Sequence, residues 1–381
     1  MAQSHELTTV LVPTFNRSAL LLETLDSLFA QTLAPGEIIV VDDGSTDDTP
    51  QRVAALGDRV RYVRKANSGK ADTLNQAMGL AKYPLIWIVD DDDLVLPNGL
   101  QELTDLIDWR PGIGFVYGRH HRFRIDEETG ARTTLDSGYW RPVDGDGFLL
   151  ATLEDFFVHQ GSTLVRRSAY EAVGPFSSLY RRSEDYEMLV RLARKFDCIA
   201  TDEVIFLQRQ HQGVRADSLP AAQMMSRWVV EQKQMFAGFY ETLALGEYLP
   251  GARRIAELTP AHRREALINR GVVMARKKLW PLAMNDFRAA CHIEGASNRL
   301  APVERAALRR ALFSKYGSIE LLTDASISAA IRALVEEGPV GREIAHVFAR
   351  GIVWFVRTNV QGGHFGNALR YTRLAAAMAM A

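Results

Sequence analysis

The chain has 381 residues, and its 45 Lys plus Arg against 46 Asp plus Glu leave a formal net charge of -1, so the overall balance gives no electrostatic reason to expect a nucleic-acid partner. Hydrophobic residues make up 47% and charged residues 24%, which excludes disordered, collagen-like and coiled-coil chains, and the length predicts two domains. Cys198 and Cys291 fall outside any CxxC or Cys/His spacing, no apolar stretch approaches the ~20 residues that span a bilayer, and Met1 to Thr9 lacks the layout of a secretory leader; together these predict a cytoplasmic protein without disulfides, zinc or a transmembrane segment.

The first half alternates short β-branched runs with amphipathic stretches, the pattern of a parallel sheet covered by helices. Strands are expected at Thr8 to Val12, Glu37 to Val41, Val60 to Lys65 and Leu85 to Val89. Between them, Leu21, Leu22, Leu25, Leu28 and Phe29 recur at helical spacing in Ser18 to Gln31, and Pro35-Gly36 stops that element. Two further helices are expected at Thr46 to Leu56 and Lys70 to Lys82, each preceded by a Gly-Ser or Ser-Gly turn. Asp126 to Gly147, rich in Gly, Asp, Arg and Thr, reads as hairpins and a loop lining a site. Strand character returns at Gly161 to Val165 and Glu203 to Arg209, around a helix over Glu184 to Lys195, and the sheet should end near Arg215.

Beyond Ser218 the strand signal fades and long helical patterns take over, broken at Pro250-Gly251, Pro260, Gly295, Pro302 and Gly338-Pro339. The expected division is therefore 1–217 as an α/β domain and 218–381 as an all-α domain. Asn269 to Ala290 resembles a tetratricopeptide hairpin, with Gly271, Ala283 and Ala290 where two helices would touch; Phe365, Ala368 and Ala375 echo Trp280, Ala283 and Ala290. The echo is no multiple of a 34-residue period away. Irregular repeats and an ordinary helical bundle both remain open.

Four polar clusters fall at the carboxyl ends of expected strands, where open α/β sheets bind ligands, or open a helix facing that edge. Pro13-Thr14-Phe15-Asn16-Arg17 follows the first strand, and its bland reading is a turn capping the next helix. Asp42-Asp43-Gly44-Ser45-Thr46-Asp47 closes the second; Ser45 to Asp48 suit helix capping, whereas Asp42 and Asp43 are costly at the end of a buried strand unless they bind something. Asp90-Asp91-Asp92-Asp93 follows the apolar Leu85 to Val89, and four like charges emerging from a core suit a hard divalent cation better than decoration. Glu184-Asp185-Tyr186-Glu187 opens a helix, either complementing its dipole or presenting a carboxylate base to the cleft.

Val10-Leu-Val-Pro-Thr-Phe-Asn-Arg, Ile39-Val-Val-Asp-Asp-Gly-Ser, Asn67-Ser-Gly-Lys-Ala, Val89-Asp-Asp-Asp-Asp and Glu184-Asp-Tyr-Glu, in that order, resemble the inverting family-2 glycosyltransferases of GT-A fold. The resemblance covers about residues 7 to 215 and implies a GT-A sheet, mainly parallel, with helices on both faces. It implies that Phe15 packs on a nucleobase and that Asp43 or its neighbour Asp42 accepts from it, with Pro13, Asn16 and Arg17 in the same donor loop. Asp90-Asp91-Asp92 would be the D-x-D segment, Asp92 binding Mn²⁺ or Mg²⁺ and Asp91 lying near the ribose or diphosphate. Asp185 would be the catalytic base with Glu184 beside it. Lys70 and Arg209 are expected near the diphosphate, and His211 beside them at the metal.

The expected reaction is metal-dependent, inverting transfer of one sugar from a nucleotide-sugar, UDP favoured, to a hydroxyl of a glycan, lipid-linked or protein acceptor. The absence of Q-x-x-R-W and of flanking transmembrane helices argues against processive polymer synthesis. A sugar-phosphate nucleotidyltransferase would carry a G-x-G-T-x-x loop after the first strand, which is absent, and a catalytically inactive scaffold acting through the helical tail is the other alternative. For that tail a protein partner or homodimer contact ranks above a peripheral membrane contact through Arg263-Arg264 and Arg276-Lys277-Lys278.

Overall fold

The computed structural model describes residues 8–107, 110, 112–126, 128–137, 140–143, 145–210 and 221–379, with the side chains of 221–226 and 379 left aside. Its described residues form two compact units: one holds those up to Phe148 and from Phe156 to 210, the other Leu149–Asp155 and those from Ala221 on. The expected boundary at 217/218 and the expected end of the sheet near Arg215 lie outside the described residues.

In the first unit the chain runs β1 (Thr8–Thr14), α1 (Ser18–Phe29), β2 (Glu37–Asp42), α2 (Thr49–Ala54), β3 (Arg61–Arg64), α3 (Lys70–Leu80), β4 (Leu85–Ile88), β5 (Leu94–Val95), α4 (Gly99–Ile107), β6 (Ile113–Ile125) and β7 (Arg132–Asp136). After α5 (Phe148–Glu154), which from Leu149 on belongs to the other unit, follow β8 (Thr163–Arg166), α6 (Arg167–Val173), α7 (Glu184–Lys195) and β9 (Asp197–Arg209). The strands make one sheet in the order β3-β2-β1-β4-β8-β6-β9-β5, with β7 on β6. The β1·β2, β1·β4 and β2·β3 ladders are parallel, as expected from the βαβ rhythm. The other half corrects the mainly parallel expectation: β8 runs antiparallel to both β4 and β6, β5 antiparallel to β9, and β7 antiparallel to β6, so only β6·β9 is parallel there.

All seven residues of β1 are buried, which is why its centre, Val10 to Pro13, is a continuous apolar run rather than an alternation. On one face of the sheet Val10, Val12, Ile38, Val40 and Trp87 pack with Leu21, Leu25 and Leu28 of α1 and Leu100, Leu103 and Ile107 of α4 in one core. Helix α3 packs against β1 and β2 and buries Leu74 and Ala77 outside that cluster. The long β6 had no clean signature, because His120-His121-Arg122 interrupts its apolar rhythm and its ladder with β9 shifts register three times.

The second unit is helical beyond its short α5 segment: α8 (Ala221–Thr242), α9 (Pro260–Arg276), α10 (Trp280–Cys291), α11 (Pro302–Arg310), α12 (Glu320–Thr323), α13 (Ala325–Ala333), α14 (Pro339–Gln361) and α15 (Phe365–Ala379). Helices α9 and α10 pack together as two helices joined by a tight turn, and Gly271 sits so close to Phe287 that a Cβ there would lie 2.6 Å from the ring. The echo in α15 fails at its first member, since Trp280 is buried whereas Phe365 is exposed. The basic stretches also differ from expectation. Arg264, Arg276 and Lys277 are buried, Arg264 against Glu304 at 2.8 Å, Arg276 against Asp155 and Lys277 over the Phe236 ring, so only Arg263 of these stretches is exposed. No helix among the described residues is long and apolar enough to cross a membrane.

Candidate functional site

Parallel pairing brings the polar segments together. Thr14 stands opposite Asp42 and Asp42 opposite Arg64, while the Val89 amide donates to the Leu11 carbonyl at 3.0 Å, so the chain leaves β1, β2, β3 and β4 along one carboxyl edge. Pro13 is buried within β1, Phe15 is half-buried just beyond it, and Asn16 is exposed. Asn16 has φ +53°, an unusual conformation for a residue with a side chain, and its Oδ1 accepts from the Thr46 amide at 2.7 Å while its own amide donates to Ser45 Oγ at 2.9 Å. Asn16 therefore ties the loop after β1 to the loop after β2.

Asp42 is wholly buried, accepting from the Ser45 amide at 2.7 Å and from the Tyr62 hydroxyl. Asp43 retains slight exposure and accepts from the Ser68 and Gly69 amides, both at 2.9 Å, and from Lys65. Burial works against its charge, yet Lys65 and the two amides outweigh it and hold the carboxyl below its ordinary value. Gly44, φ +84°, allows this turn, since a Cβ would meet the Asn67 nitrogen at 2.9 Å.

The acid run is ordered by cations and donors from other strands. Arg17 Nη1 bridges Asp91 and Asp92, both at 2.9 Å, and Thr14 Oγ1 donates to Asp91 at 2.7 Å. Burial, partly offset by Arg17 and reinforced by Asp92, pushes Asp91 up to about 6. Burial together with Asp92 and Asp90 also raises Asp93, which accepts from the Arg209 amide at 2.8 Å. Arg209 itself is buried, its guanidinium on the Asp92 carbonyl at 2.7 Å and on Glu23 at 2.6 Å, so it braces the acid loop from behind.

Lys70, at the start of α3, reaches across to Asp90 at 2.6 Å and lies 3.9 Å from Glu184. Burial opposes its charge, but Asp90, Glu184 and Asp185 hold it protonated. Glu184 and Asp185 occupy the first turn of α7, which is fixed by buried Tyr186, Met188 and Leu192 and by Arg191, whose guanidinium pairs with Glu187 and caps the Val173 and Gly174 carbonyls. Glu184 is buried with Oε2 unpartnered, and burial, partly offset by Lys70, raises it to about 8. Burial raises Asp185 too, again against Lys70. Asp185 lines a pocket with Phe156, Val158, Gln160, Thr163 and Met188.

The structure thus gathers Thr14, Arg17, Asp90, Asp91, Asp92, Lys70 and Glu184 into one chain of contacts, while Asp42, Asp43 and Arg209 shape the loops around them. His211 lies outside the described residues. Among the described residues no three His, Cys, Asp or Glu side chains are grouped to hold a metal by themselves. Sequence reading missed Lys65 and the pair His120 and His159, whose rings are 5.2 Å apart, with His159 Nε2 2.7 Å from Gln208. Burial, with Arg122 nearby, lowers His120 to about 4; burial, with His120 nearby, lowers His159 to about 3. Lys65 directly follows β3, and no local motif announces the two histidines, because β6 and the loop before β8 supply them, with Gln208 of β9, from distant positions.

Comparison with known proteins agrees with this arrangement. Residues 9–174 match the family described as Glycosyl transferase family 2. An uncharacterised glycosyltransferase of Rickettsia conorii is 26% identical over 210 residues, 54% of this chain and 34% of that protein. The glycosyltransferase GlyG of Streptococcus pneumoniae is 30% identical over 209 residues, 53% of this chain and 65% of that one. The chain thus spans only about a third of the Rickettsia relative's length. Among solved structures, S. aureus TarS 1-349 in complex with UDP-GlcNAc superposes with a TM-score of 0.52 at 16% identity, covering 88% of this chain and 90% of that one, which establishes likeness of fold. The sheet topology and the likeness of fold show a GT-A-type domain, and within it residues 9–174 are similar to glycosyl transferase family 2.

Proposed function

We propose that the chain is an inverting glycosyltransferase that moves one sugar from a nucleoside-diphosphate donor to an acceptor hydroxyl. The observation that carries this reading is the meeting of Lys70 with Asp90 and Glu184, which joins the carboxyl edge of the sheet to the acidic start of α7. Phe15 offers the nucleobase a ring, and of the two acids after β2, Asp43 rather than fully buried Asp42 is the one with any exposure. UDP-sugars are the first donors to try, since the TarS structure holds UDP-GlcNAc.

Asp92, with Asp90 beside it, supplies the hard carboxylate oxygens that suit Mg²⁺ or Mn²⁺, which needs only one or two carboxylates when substrate phosphate completes its shell. A bound dication there would offset the charge of the donor's diphosphate. The other groups act directly. Arg17 and Thr14 fix the acid loop, and Lys70 offers positive charge to the leaving diphosphate. Asp185, raised by burial and kept within reach of the ionised form by Lys70, takes the proton of the acceptor hydroxyl. That oxygen bonds to the anomeric carbon from one face as the bond to the diphosphate oxygen breaks on the other, so the configuration inverts and the nucleoside diphosphate leaves with the electron pair.

Asp185→Asn tests the assignment. The variant should lose transfer by about 10²–10⁴-fold, the usual contribution of a positioned base, while the donor nucleotide still raises its melting temperature. Parent-like turnover in the variant would remove Asp185 from the mechanism.

A further inference from the structure

The two C-terminal helices carry a feature that the sugar-transfer reading does not use. Helix α14 buries Ile344, Phe348 and Ile352, while its opposite side presents Arg342, Arg350 and Arg357 together with Val353, Trp354 and Val360. At 100° per residue these six fall within an arc of about 120°. Helix α15 continues the pattern with Phe365, Leu369 and Arg373 exposed on one side, and its Tyr371 stacks on Phe355 of α14 at 5.2 Å, so the two helices are one packed body. Phe365 is 67% and Trp354 52% exposed, although Trp354 is braced edge-on by Phe313 at 5.1 Å. Across 339–379 stand five arginines and a single acid, Glu343, which is engaged with Arg305 at 2.9 Å.

We infer that the α14–α15 face lies on an anionic lipid surface, the arginines meeting headgroup phosphates and Trp354, Phe365 and Leu369 entering the headgroup boundary. Large exposed apolar side chains interleaved with arginine and without acid are the composition of a helix that rests in the plane of a membrane. Guanidinium groups match phosphate oxygens bidentately, and ring side chains are favoured at the interface level. A second copy of the chain fits poorly, because a self-complementary contact through this face would set arginine against arginine. The face differs from the basic stretches Arg263-Arg264 and Arg276-Lys277-Lys278, most of whose side chains are buried.

The test is flotation of the full chain with vesicles of phosphatidylcholine alone or with about 30% phosphatidylglycerol, at low and physiological salt. Binding should require the anionic lipid and weaken with salt. Arg350→Glu with Arg357→Glu and Arg373→Glu should reduce it at least about tenfold, and Phe365→Ser with Leu369→Ser, both on exposed positions, should reduce it severalfold without altering the melting temperature. The readout needs no sugar transfer, so it stands or falls separately from the catalytic reading. Equal binding to neutral vesicles, no binding by folded protein, equally tight binding to polyglutamate, or a dimer dissolved by the Phe365 and Leu369 changes would each overturn the lipid assignment.

Discussion

Glu184 titrates near 4.5 when free and is raised to about 8 by burial, facing Lys70, Asp185 and Asp90. Because the folded state holds a proton that the unfolded chain releases between those values, this group makes the protein less stable as pH rises from about 4.5 to about 8, and the whole penalty is present above that. Glu184→Gln removes the ionisation. The variant's melting temperature should therefore gain on the parent's as pH is raised from about 5 to about 9; a difference that stays constant across that range would contradict the burial-driven shift. The site acids were legible because each sits directly after a strand or at a helix start. Their partners were less so: that Arg17 of the donor loop bridges Asp91 and Asp92 and that Arg209 braces the acid loop was not readable, since which cation neutralises which acid depends on strand order.

At the scale of elements, the βαβ half was readable because buried parallel strands such as β1 carry an apolar run at their centre, here Val10 to Pro13. Strands β5 and β6 were not: two residues leave no periodicity to detect, and the charged interior of β6 is tolerated only through its irregular register with β9. The helical unit offers two further checks. Gly271→Ala forces a methyl into Phe287 and should cost about 1–3 kcal/mol, the usual penalty for overpacking, read from denaturant unfolding; an unchanged midpoint would mean that α9 and α10 do not approach as closely as 2.6 Å implies. Arg264→Met strands buried Glu304 and should cost about 3–5 kcal/mol, whereas adding Glu304→Leu should recover much of it. Failure of the second change to restore stability would show that the other bonds of the cluster, from Arg264 to the Ser297 and Arg299 carbonyls and from the Ala301 amide to Glu304, matter more than the ion pair.

At the scale of the whole molecule, an α/β unit similar to glycosyl transferase family 2 accompanies a helical unit whose last two helices present a basic, aromatic face. Composition alone was silent on that face, because the near-zero net charge averages an acidic strand edge with an arginine-rich surface. The most direct measurement is the thermal shift of the full chain with a panel of nucleoside diphosphates, each with and without Mn²⁺. A ligand that binds only the folded state must raise the melting temperature, by about 2.7 kcal/mol of stability at a hundredfold excess over Kd. Stabilisation by one nucleoside diphosphate that depends on the metal and is lost in Asp92→Asn is the predicted result. No stabilisation of the folded protein by any of them would contradict the donor site and with it the proposed reaction.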